Sequence, residues 1–189
     1  MLKRLAQLAA TLLALVAVAV PAHAQGSLSD TFSGEELVES GREFFGSAAQ
    51  GLASVVERAV SEYGQPNGYI LGEEAGGALF IGAKYGEGTL YTRNAGQFKI
   101  FWQGPSIGLD VGGDGSKVMM LVYNLSSIQE ILGRYPGIDG SAYVVGGVGM
   151  TVTKRGNVIV VPIRSGLGAR LGINVGYLNF TSEPTWNPF

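Results

Sequence analysis

Apolar residues recur along this chain with three spacings, and each predicts a different element. Leu5 to Val20 is an almost unbroken apolar run that follows Lys3 and Arg4 and ends at Pro21. From Gly41 the apolar positions step by three and four: Phe44, Phe45, Ala48, Ala49, Leu52, Val55, Val56, Ala59, Val60 and Tyr63. Arg42, Glu43, Gln50, Glu57, Arg58 and Glu62 fall mostly between them. That spacing draws one apolar stripe along an amphipathic helix over residues 42–63, stopped by Gly64 and Pro66. From Tyr69 onward the period becomes two and glycine supplies the punctuation.

The period-two segments predict strands, and the breaks between them predict tight antiparallel turns. Ala78–Lys84 and Thr89–Arg93 flank Gly86-Glu87-Gly88, and Phe98–Gln103 follows Asn94-Ala95-Gly96. Ser106–Val111 and Val118–Asn124 are separated by Gly112-Gly113-Asp114-Gly115. Ala142–Thr153, Val158–Ile163 and Leu167–Phe180 complete the set, turning at Arg155-Gly156-Asn157 and near Ser165-Gly166. A second helix is predicted over Ser126–Arg134, with a Ser cap and a carboxylate at Glu130, ending before Pro136 and Gly137.

All 30 glycines fall after Ala24, well above the usual share of about 7%. From Gly166 to Tyr177 they take alternate positions, so one face of that strand is bulky and the other nearly bare. Gly108 with Gly112, and Gly147 with Gly149, repeat the pattern. Bare faces let strands bend sharply or approach one another closely. The expected fold is mostly β with two helices: a small Gly-rich antiparallel β-barrel or half-barrel of about seven to nine strands. The amphipathic helix is expected to pack on it.

The first apolar run, with its basic start and the small-x-small triplet Ala22-His23-Ala24, has the form of a cleavable export signal. It is too short for a span of about 20 apolar residues. The expected organisation is a signal peptide over 1–24, a flexible lead-in over 25–40, a single barrel-like domain over 41–182 and an irregular tail over 183–189. Cleavage after Ala24 would deliver a periplasmic protein with no transmembrane segment. It would also remove Lys3 and Arg4 from a chain whose formal net charge is already −2. An acidic chain with no Lys/Arg cluster offers nothing for nucleic acid or for polybasic docking on lipid.

Chemistry is narrowed by what is missing. The chain has no cysteine, and its one histidine, His23, lies in the signal. That excludes His-based triads, Cys nucleophiles and ordinary zinc sites in the exported protein. No Ser–Lys motif stands out, and the adjacent Glu73 and Glu74 point to opposite faces of a strand. Asp110 and Asp114 lack the alternating carboxylates of a calcium loop. The Gly166–Gly172 run is off-register for a dinucleotide fingerprint, and Gly115-Ser116-Lys117 is out of order for a phosphate loop. The residues therefore predict no catalytic group, no cofactor and no metal, and the chain is read as a non-enzyme.

Three blocks carry a resemblance. Gly86-Glu87-Gly88-Thr89-Leu90-Tyr91, Gly104-Pro105-Ser106-Ile107-Gly108-Leu109-Asp110-Val111-Gly112 and Val118-Met119-Met120-Leu121-Val122-Tyr123-Asn124 together resemble the envelope integrity protein A family. They are more distantly similar to the SYLF lipid-binding domain. The first resemblance implies a periplasmic β-barrel that supports the cell envelope as a binding or scaffolding module, with envelope components as partners. The second implies affinity for phospholipid. It departs at Phe98-Lys99-Ile100-Phe101-Trp102-Gln103-Gly104-Pro105, where the SYLF pattern has an aromatic Trp-Ser-x-Pro block. The competing readings are a lipid-binding module using helix 42–63 at a membrane surface and an outer-membrane barrel. If an apolar ligand or lipid binds, the expected contacts are Phe44, Phe45, Leu52, Val56 and Tyr63, where the helix meets the barrel. The sequence leaves the oligomeric state open.

Overall fold

The computed structural model describes residues 30–76, 83–105, 116–165 and 176–185. The predicted signal, the Ser106–Val111 strand, the Asp110–Asp114 turn, most of the Gly166–Gly176 alternation and the last tail residues lie outside them.

The chain is helical earlier than the lead-in reading predicted. Helix α1 spans Gly34–Phe45. The Ser33 hydroxyl accepts from the Glu36 amide at 3.3 Å while the Glu36 carboxylate accepts from the Ser33 amide at 2.8 Å, a reciprocal cap that starts a helix. The single helix expected over 42–63 is two. Gly46, at φ 62°, ends α1, a 3-10 turn covers Gly46–Ala48, and α2 runs Leu52–Tyr63. The break has a packing reason. A Cβ on Gly51 would sit 1.9 Å from the Val145 carbonyl oxygen, so the bend lets the helical layer settle onto a hairpin of the sheet.

The strands are β1 Gly68–Gly76, β2 Ala83–Thr92, β3 Gly96–Pro105, β4 Ser116–Tyr123, β5 Gly133–Pro136, β6 Tyr143–Val145, β7 Val148–Met150, β8 Thr153–Arg155, β9 Val158–Ser165 and β10 Tyr177–Thr181. Nine follow one another in the order β5-β10-β3-β2-β1-β4-β9-β7-β6, and β8 joins the first half of β9. Every pairing is antiparallel. The bridge between Gly137 and Thr153 and the 2.8 Å bond from the Ile138 amide to the Val152 carbonyl tie the chain after β5 to the chain around β8. The sheet thus curls until its far edges meet at this seam. This is the mostly β, curled barrel that the glycine pattern predicts.

Three local expectations change. Gly86-Glu87-Gly88 is no turn but the middle of β2, paired with Gly72 and Glu74 of β1 and with Ile100 and Trp102 of β3. The helix expected over Ser126–Arg134 is a 3-10 turn over Ile128–Ile131 followed by β5. Glu130 still accepts from the Ser126 amide at 3.1 Å, but the buried Tyr135 belongs to a strand that lines the barrel. The strand expected over Ala142–Thr153 breaks into β6, β7 and β8, because Gly146 and Gly147 turn the chain at φ 55° and 76°. The hairpins at Asn94-Ala95-Gly96 and Arg155-Gly156-Asn157 are as expected.

The sheet separates two cores. Ile70, Leu90, Ile100, Trp102, Val118, Met120, Val122, Tyr135, Val160, Leu178 and Phe180 fill the barrel. Leu37, Phe45, Leu52, Val55, Val56 and Ala59 of the helices pack on Met119, Leu121, Val161 and Ile163 of the outer face. β4 feeds both, with successive residues pointing in and out, and so reads as a continuous apolar run. Each fully buried large aliphatic side chain contributes about 1.5–3 kcal/mol.

The helix–hairpin contact makes a paired prediction. Gly51→Ala should destabilise the protein by about 1–3 kcal/mol through collision with the Val145 carbonyl. Gly34→Ala, whose Cβ would find its nearest neighbour 4.0 Å away, should be neutral or stabilising by up to about 1 kcal/mol. Thermal unfolding of the two variants beside the parent checks both signs.

Candidate functional site

The region that concentrates polar chemistry is the wall made by β1, β2 and β3. Facing inward in register are Gly72 opposite Gly88, and Glu74 opposite Gly86, which is opposite Trp102. The missing side chains make room for the indole. A Cβ on Gly86 would lie 2.2 Å from Trp102 Cε2, and one on Gly72 2.7 Å from Cη2. Held there, Trp102 Nε1 donates to Glu74 Oε1 at 2.8 Å. The same carboxylate receives Arg164 from β9 in a bidentate pair, Nε to Oε2 at 2.7 Å and Nη2 to Oε1 at 2.8 Å. All are buried, and so is Lys84. Burial pushes the Glu74 carboxyl up, but the charges of Arg164 and Lys84 and the hydrogen bonds from Arg164 and Trp102 outweigh it and hold its pKa at about 2. Glu74 is therefore a fixed anion that anchors its neighbours, not a group able to lend a proton.

The outer face of the same wall carries an open cleft of ≈ 330 Å³. Two cross-strand rows form it, Glu73-Glu87-Phe101 and Ala75-Tyr85-Gln103, with Pro184 and Thr185 at one side. Glu73 and Glu87 are exposed. Lys99 Nζ lies 3.2 Å from the Glu87 carboxylate and 5.5 Å from the centre of the Phe101 ring. Gln103 is 1% exposed, and its Nε2 has no hydrogen-bond partner among the described residues. The cleft combines aromatic walls with both hydrogen-bonding senses.

A family model described as envelope integrity protein A matches residues 30–189. The chain belongs to the envelope integrity protein A family. No curated protein matches it. Among solved structures, it is similar to a beta-barrel-like, uncharacterized protein from Brucella abortus, with 63% identity and a TM-score of 0.80. The match covers 84% of this chain and 99% of the other. Among the described residues of this envelope integrity family member, no helix is long and apolar enough to cross a membrane.

The five contacts expected at the helix–barrel junction lie together, but not at the cleft. Phe45, Leu52 and Val56 are buried in the core between helices and sheet. Phe44 is half-buried, its ring edge-on to Phe45, with Lys117 above it donating to the Phe44 carbonyl at 2.6 Å. Tyr63 leans on the Tyr123 ring and donates to Glu62 at 2.7 Å. Val56 also lines an open groove between α1 and α2. Glu74, Trp102, Gln103 and Arg164 were missed by the sequence reading. The available signal was the alternation Ile70-x-Gly72-x-Glu74, which puts an acid on the same face as a core isoleucine.

Two predictions follow from the inward wall. Gly86→Ala should lose about 1–3 kcal/mol, and combining it with Trp102→Leu should cost less than the sum of the single changes; a double-mutant cycle by urea unfolding measures this. The second concerns acid. Glu74 has a folded pKa below the ordinary 4.5, so its stabilisation is complete above that value and drains away as pH falls toward about 2. Glu74→Gln should lower stability at neutral pH by about 3–5 kcal/mol, leaving Arg164 buried without its anion. It should also flatten the fall in melting temperature between pH 4.5 and 2; the exposed Glu36, held at about 2 chiefly by its hydrogen bond from Arg93, would account for part of what remains.

Proposed function

We propose that this protein is a non-enzymatic binding or scaffolding module that supports the integrity of the cell envelope. In this reading it is exported to the periplasm by residues 1–24 and acts without a cofactor. Family membership supports the envelope role. The observation that carries the mode of action is the filled barrel: Ile70, Leu90, Ile100, Trp102, Val118 and Phe180 occupy its interior. That leaves the outer surface to meet partners.

The competing readings fare worse on the same ground. A lipid-facing helix would need the apolar stripe of α1 and α2, which is engaged with Met119, Leu121 and Ile163. Outer-membrane barrels carry an apolar band outside and a polar lumen. Here the interior is packed with apolar side chains around one buried Glu74–Arg164 pair, and Glu73, Glu87, Gln97 and Lys99 stand exposed on the outer wall.

Removing the gene from its host should increase sensitivity to detergent and to cell-wall inhibitors. Expression of the full chain should restore resistance, and a version lacking residues 2–24 should not. Unchanged growth of the deletion strain under both stresses would overturn the envelope role, and rescue by the leaderless version would overturn the periplasmic one.

A further inference from the structure

The geometry points to the outer cleft over β1–β3 as a binding site for a neutral oligosaccharide. This deepens the binding-module reading and rests on it.

The argument starts with the orphaned amide. Buried polar groups nearly always have partners, yet Gln103 Nε2 is enclosed in the cleft wall with none among the described residues. Gln103 is 1% exposed, so its side chain would turn toward the cleft to meet a ligand oxygen, which supplies the acceptor. The rest of the lining selects the kind of ligand. Glu73 and Glu87 stand opposite each other on the rim, so an anionic group such as a phosphate meets repulsion. An ammonium gains little either. The position between the Glu87 carboxylate and the Phe101 ring is already held by Lys99, at 3.2 Å and 5.5 Å.

A polyhydroxyl ring uses what both of those ligands would leave idle. Its hydroxyls donate to the carboxylates and accept from the Gln103 amide and the Lys99 ammonium, while its C–H face lies on aromatic side chains. The cleft is open and measures ≈ 330 Å³, at the small end of ligand sites of about 300–1,000 Å³. That suits a short stretch of a longer glycan passing over the wall.

The test is a titration of the purified, isotope-labelled protein followed by backbone amide resonances. The probes are oligomers of N-acetylglucosamine, of glucose and of mannose, with tetralysine and inorganic phosphate as the charged alternatives. At least one neutral oligosaccharide should shift resonances of β1, β2 and β3, saturably and in the millimolar range or tighter. Gln103→Met should weaken that binding by tenfold or more while raising the melting temperature, because it removes a buried donor without an acceptor. A residue with a purely structural role would lower it instead. Glu73→Gln, an exposed change, should weaken binding without altering stability.

No saturable shift with any oligosaccharide, shifts with tetralysine or phosphate alone, or binding indifferent to both substitutions would each overturn the proposal. The envelope role is scored separately by the deletion strain. Rescue by the full chain with no sugar binding would therefore remove the ligand class and leave the module standing.

Discussion

The space inside a small curled sheet is fixed by its strands, and here one indole decides how that space is used. Trp102 lies against backbone at Gly72 and Gly86, where any side chain would overlap it. Interiors pack at crystal-like density, so the glycines and the tryptophan form a single fitted unit. Seated this way, the indole N–H is aimed at Glu74, and Glu74 in turn fixes Arg164. A buried ion pair adds little net stability over apolar packing, but losing either partner is costly. The pair joins β1 to β9 across the intervening β4.

β4 and β9 connect this interior to the helices. Because β4 is covered on both faces, the helical layer and the barrel contents share the same strand. Met119 and Leu121 touch one core, and Met120 and Val122 the other. The helical layer covers the β4–β9 side and the start of β1, at Tyr69 and Leu71, and leaves Glu73, Ala75, Glu87 and Lys99 of the β1–β3 wall to solvent, which is where the cleft lies. Lys117 stitches the two layers through the Phe44 carbonyl, and Arg93 ties the β2–β3 hairpin to α1 through Glu36.

This division assigns tasks to the two sides of one wall. On β1–β3 the inward residues are locked by glycine clearance and by the Glu74 pair, while the outward Glu73, Glu87 and Lys99 stand exposed. Alternation along the strand is what separates them: Glu73 and Glu74 are neighbours in sequence, yet one stands in water and the other is sealed in the barrel.

By itself the sequence determined the class of fold. Glycine at alternate strand positions, the three-four spacing before Gly64 and the absence of cysteine and of any histidine beyond His23 are local properties, readable one residue at a time. They establish a curled antiparallel sheet with a helical layer and remove whole classes of chemistry. What they could not say was why particular glycines are there. Gly86 and Gly88 look like a turn because glycine permits turns, and only Trp102 against Gly86 and the Leu71 carbonyl against Gly88 show that clearance is the reason. In the same way, α1 and α2 read as one helix until the Val145 carbonyl, nearly a hundred residues downstream, is brought against Gly51. The Glu74–Arg164 pair joins residues 90 positions apart, and the cleft takes its rows from three strands. Such contacts depend on strand register, which is set by the packing of the whole barrel, so the tertiary structure alone decided them.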